Sequence, residues 1–301
     1  MDRSGSIGSL RRVSSPTDRK LRIAAIRFLN PAPLMWDFEH PPLLEDLMNR
    51  YTIESMLPSE CADRLVAGTA DVGLVPIAAL ATAPQLHVLP GCTIASKGKV
   101  RSLLLVRRTN QELKQLRSVA ADTASRTTIA YARILFRKWA NPGLEFVPLA
   151  ADLDAMLERA DAAIVIGDPA LLALEERANR FERTGEELVY HDLADEWRKL
   201  TGLPFVSAIW ATSSSATPSN SLLDEGIAND LIRSRDHGLA HIEELAREWS
   251  RRIPVPEQTI RTYLSENIHY VLDEECIEGM RGFFREAAQA GILPQYEVDV
   301  T

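Results

Sequence analysis

Little in this sequence points to metal, membrane or nucleic-acid chemistry. Its three cysteines, Cys61, Cys92 and Cys276, stand too far apart for a CxxC pair. They fit a reducing compartment and scattered packing roles rather than a disulfide frame. Of the six histidines, His237 and His241 lie four apart, but the glutamate of HExxH is absent, so no metal is expected. The glycines never take GxGxxG or P-loop spacing, and no GxSxG marks a nucleophile. No apolar run approaches the ~20 residues of a membrane span. Net charge is -8, which leaves no polybasic surface for nucleic acid or a membrane. Residues 1–20 lack the apolar stretch of a secretory signal, so a mobile tail and a cytoplasmic protein are expected.

What remains is a chain of 301 residues, 46% apolar and 25% charged, long enough for two ordinary domains. Ile23 to Leu29 is short, almost wholly apolar and closed by Asn30, Pro31 and Pro33. That pattern predicts a strand buried on both faces of a parallel sheet. Asn30 then stands at the carboxyl end of a first strand, where ligands bind in open α/β sheets. It offers a donor and an acceptor that never titrate, and it serves equally as an Asx turn. Further along, Tyr51–Leu57 reads as a strand and Pro58-Ser59-Glu60-Cys61 as a helix start with Ser59 at the N-cap. Asp71–Val75 is a third strand, stopped by Pro76. A second α/β block opens with Val119–Ala121 and closes near Pro204, and the remainder from about Asn220 is helical.

Asp122-Thr123-Ala124-Ser125-Arg126-Thr127-Thr128 lies between a strand and a helix. Free N–H groups at a helix start hold a carboxylate, and hydroxyls with an arginine add to it. An ordinary cap explains the same residues. Ser96-Lys97-Gly98-Lys99 with Ser102 is a second candidate, or a plain turn with solvated lysines. Asp168 follows a buried strand; it either closes a cleft or caps the helix beginning at Pro169.

Taken in order, Phe28-Leu-Asn-Pro-Ala-Pro-Leu34, Pro58-Ser-Glu-Cys61, Asp71-Val-Gly-Leu-Val-Pro76, Asp122-Thr-Ala-Ser-Arg-Thr127 and Trp197-Arg-Lys-Leu-Thr-Gly-Leu-Pro-Phe205 resemble the chorismate dehydratases of the futalosine route to menaquinone. The resemblance spans about residues 21 to 290. It implies an α/β, two-lobe fold of the type 2 periplasmic-binding-protein kind with a central cleft. One lobe would hold 21–105 plus 205–301 and the other 106–204, with Ser102–Val106 and Phe205–Trp210 as hinge strands. It implies loss of water from chorismate, giving 3-[(1-carboxyvinyl)oxy]benzoate, with no cofactor and room for a homodimer. By matching motif positions, Asn30 and Ser96 would be catalytic. Ser59, Ser102, Thr123, Ser125, Arg126, Thr127, Thr128 and Asp168 would contact substrate. Arg27 departs from the small hydroxyl residue usual in such relatives. Three rival readings remain: a solute-binding receptor without chemistry, a sensing domain of a regulator, and the later enzyme that cleaves a cyclic futalosine derivative.

Overall fold

The computed structural model describes residues 19–122, 125–213 and 221–300. Four strands come first: β1 (Leu21–Ile26), β2 (Tyr51–Met56), β3 (Val72–Pro76) and β4 (Leu86–Ser96). Five follow in the middle of the chain: β5 (Leu103–Arg108), β6 (Ser118–Asp122), β7 (Glu145–Leu149), β8 (Ala162–Ile166) and β9 (Leu188–Asp192). Two more, β10 (Phe205–Ser213) and β11 (His269–Leu272), come after the second block. They form two sheets, ordered β2-β1-β3-β10-β4-β11 and β7-β6-β8-β5-β9.

The same plan is used twice. In the larger sheet β1 runs parallel to β2 and β3, and β10 is antiparallel to β3 and β4. In the smaller sheet β6 runs parallel to β7 and β8, and β5 is antiparallel to β8 and β9. β5 and β10 are each laid down just after the chain changes sheet, and β11 adds an edge strand antiparallel to β4. The hinge therefore differs from the sequence-based expectation. Leu103–Val106 pairs only within the smaller sheet, and Phe205–Trp210 only within the larger. The crossings are the short segments just before each strand.

β1 is shorter than its apolar run predicts, because the chain bends after Ile26 and enters a 3-10 turn at Ala32–Met35. Phe28, Leu29 and Asn30 thus form a loop beyond the sheet edge. The helix Pro58–Val66 also departs from expectation: Leu57, not Ser59, takes the N-cap position. Proline fits the first helical position because it has no N–H to satisfy. The Glu60 carboxylate accepts the Leu57 N–H at 2.8 Å. β11 was not foreseen; four residues between two helices give too short a pattern. Arg19 and Lys20, assigned to the tail, are held: Arg19 pairs with Asp71 and Lys20 Nζ donates to the Met48 carbonyl.

The helix Arg126–Lys138 is fixed where the sheets meet. Its Tyr131 ring is buried against Phe205 (3.9 Å between centroids), Trp197 (4.8 Å) and Phe283 (4.3 Å). The Tyr131 hydroxyl accepts from the Val206 N–H at 3.3 Å. Buried aromatic area of this kind dominates core energetics. It sets the start of that helix against the strand ends of the larger sheet.

Candidate active site

A narrow cavity of about 40 Å³ lies between the two sheets. The loop after β1 contributes Phe28 and Asn30, and the crossing into β5 contributes Ser102. Ser125, Thr127 and Thr128 come from the start of the helix Arg126–Lys138, Gly167 follows β8, and Ser207 lies on β10. The walls are otherwise apolar, and among the described residues no titratable side chain lines the space. This is room for a few waters.

Asn30 presents the plainest sign of an unfilled role. Its Oδ1 is buried and has no hydrogen-bond partner among the described residues. A buried acceptor without a partner is costly and uncommon, and a ligand donor in the cavity would satisfy it. Ser125, Thr127 and Thr128 are buried. They sit where helix N–H groups lack intrahelical partners, with the positive end of the helix toward the cavity. Thr127 also accepts the Ala78 N–H from the opposite lobe at 3.1 Å.

Several residues expected at the site lie elsewhere. Arg126 turns outward and pairs with Asp63 at 2.7 Å, a half-exposed bridge between helices of the two lobes. Its charge is answered there rather than in the cavity. Ser96 is buried but does not line the space; its hydroxyl donates to the Gly98 carbonyl at 2.9 Å and accepts the Gly98 N–H at 3.3 Å. It shapes the turn that leads to Ser102. Ser59 follows lining residue Pro58 but is not itself in the lining. Thr123 falls outside the described residues. Asp168 caps nothing: it opens its helix and reaches across to accept the Leu29 N–H at 2.9 Å. Burial pushes its carboxyl up to about 6, against the lowering effect of that N–H. Ser207 was missed because a lone serine in a buried strand carries no signal.

Away from the cavity, His269, Asp273 and Cys276 bring their ligand atoms within 4.8 Å of one another. Their spacing is not a recognised metal pattern. Lys97 Nζ lies 2.7 Å from Asp273 and already answers its charge.

Two α/β lobes of this strand order, with a cleft between them, define a protein of the type 2 periplasmic-binding-protein fold. Solved structures agree: a protein from Archaeoglobus fulgidus matches with a TM-score of 0.72 at 14% identity, covering 91% of this chain and 98% of that one. The periplasmic aliphatic sulphonate binding protein SsuA of Escherichia coli matches at 0.61 and 16% identity, covering 95% and 96%. Within that class, a family model described as menaquinone biosynthesis matches residues 21–289, and the chain belongs to this family. A relative named chorismate dehydratase, from Thermus thermophilus, is 28% identical over 267 residues, which is 85% of this chain and 91% of the relative.

Proposed function

We propose that this protein is a chorismate dehydratase, a lyase forming 3-[(1-carboxyvinyl)oxy]benzoate and water for the futalosine route in the cytoplasm. The observation that carries this reading is a largely apolar cleft whose polar groups, among the described residues, are hydroxyls, one amide and a helix start, with no acid or base. Such a site suits a reaction whose proton acceptor comes with the substrate. Chorismate carries two carboxylates. Its enolpyruvyl carboxylate takes the ring proton beside the ether oxygen, leaving a carbanion conjugated with the ring carboxylate. The neighbouring hydroxide departs, the proton and hydroxide leave as water, and the ring becomes aromatic. The protein supplies position and fixed dipoles, which needs no cofactor.

In this scheme Ser125, Thr127, Thr128 and the adjacent N–H groups bind a carboxylate, and Asn30 orients the ring hydroxyl. Ser96 acts on the reaction through the turn before Ser102. The same proposal places 106–204 in the second lobe, together with Leu103–Leu105, which pair within the smaller sheet.

The test is purified protein mixed with chorismate, followed by ultraviolet absorbance and mass. Loss of one water is expected, with Asn30→Ala slowed at least tenfold while still folded. A substrate mass unchanged after prolonged incubation rejects the reading; near-normal turnover by Asn30→Ala rejects its role.

A further inference from the structure

Ser102 is held from three sides. Arg101, just before it, takes a left-handed φ of 64°, a conformation uncommon for a residue with a side chain. It is fixed there by its N–H, which donates to Asp192 Oδ2 at 2.7 Å. The Ser102 carbonyl accepts the Gly167 N–H at 2.8 Å. Its hydroxyl lies 2.8 Å from the hydroxyl of Tyr263, a residue 161 positions away whose ring is fully buried.

Tyr263 opens an unusual element. The helix Glu257–Thr262 widens into a π turn over Tyr263–Asn267. Such turns are rare and gather at functional sites, because an inserted residue re-aims the side chains around it. The Asn267 side chain then donates to the Lys99 carbonyl at 3.1 Å, tying the end of the π turn to the crossing that delivers Ser102.

A phenol is the stronger acid of the two hydroxyls, and a buried phenol proton needs an acceptor. Among the described residues, the hydroxyl of Ser102 is the partner in place for it. Serine has one proton and two lone pairs. With a lone pair engaged by Tyr263, its proton points off that axis, and Ser102 borders the cavity.

We propose that Tyr263 is a positioning residue: by donating to Ser102 it sets the serine as a hydrogen-bond donor to the hydroxyl that leaves the ring. This deepens the dehydratase reading and rests on it. The pair gives a hydrogen bond, not a proton. The proton that completes the water is the one removed from ring carbon, and Tyr263 and Ser102 end as they began. Linked hydroxyls polarise one another, and a fixed donor is most effective where negative charge develops.

The experiment compares chorismate kinetics for the wild type, Tyr263→Phe, Ser102→Ala, the double variant and Ser102→Thr, each with its Tm. Expected is a kcat about tenfold lower for Tyr263→Phe, with KM within about twofold. The double variant should be no slower than Ser102→Ala, and Ser102→Thr should recover most of the rate. A wild-type kcat in Tyr263→Phe, or additive losses in the double variant, overturns the proposal. If the wild type binds chorismate by calorimetry without turnover, the lyase reading and the proposal built on it fall together, whereas turnover by the wild type with Tyr263→Phe unaffected overturns the positioning role alone. Absence of both binding and turnover in the wild type overturns both.

Discussion

Gly167 has no side chain where one would strike its neighbour. Its φ is 64°, and a Cβ built on it would lie 2.8 Å from the ring of Phe28. Phe28 belongs to the Asn30 loop, so this close approach seats the loop against the second lobe. Gly167→Ala is expected to lose about 1–2 kcal/mol from backbone strain and displacement of the ring. Turnover should fall more than this loss of stability implies, since Asn30 moves with Phe28. A variant with wild-type Tm and wild-type kcat would show that the loop tolerates the shift. At this scale the sequence was informative where chemistry is local. Asn30 before proline, and hydroxyls at a helix start, are visible as short patterns. The partner of Arg126 was not, because Asp63 lies 63 positions away and helix spacing says nothing of it. Tyr263 was invisible for the same reason, and a π turn leaves no signature in residue order.

The strands and helices of both blocks were largely legible, because their apolar runs and turn residues repeat at the expected periods. What failed were ends and short pieces: the early stop of β1, the cap of the helix after Leu57, and β11. These are set by neighbours rather than by local preference. The start of β1 shows how. Asp71 is fully buried beside it. Its carboxylate accepts the Arg22 N–H at 2.8 Å and the guanidinium groups of Arg22 and Arg19. Burial alone would push this carboxyl up, but those hydrogen bonds win and bring it down to about 2. Its ordinary value is about 3.9, so the stabilisation is complete above that value and is lost as pH falls through about 2. Both arginines are partly solvated, which weakens each pair. Asp71→Asn should therefore cost roughly 1–2 kcal/mol at neutral pH, read as a lower urea midpoint at unchanged slope. The penalty should shrink as the acidic limb is approached. Equal penalties at pH 7 and pH 2.5 would remove the charge from the explanation.

Beside the Tyr131 packing, polar contacts join the lobes near the cleft. Thr127 meets Ala78, Arg126 meets Asp63, and Asp168 meets the Leu29 N–H. Of these, the Asp168 contact carries a pH dependence. In the closed form burial holds its carboxyl near 6, whereas in an opened cleft water returns and the value falls back toward 4. Closing therefore takes up a proton between about pH 4 and 6. The closed form is favoured below this range and loses that advantage as pH rises through 6. The Leu29 N–H survives ionisation, so the carboxylate keeps its partner while losing its hydration, and the second effect is the larger. Substrate entry and product exit should accordingly be easier at pH 8 than at pH 5. Small-angle scattering of the unliganded protein should give a larger radius of gyration at pH 8 than at pH 5. Asp168→Asn, neutral throughout, should stay compact at both. Salt should loosen the wild type further by screening Arg126 from Asp63, since that bridge is half exposed. If the wild-type radius is the same at both pH values while Asp168→Asn differs from it, the carboxyl acts through its shape and hydrogen bond alone, and its ionisation does not govern how the lobes meet.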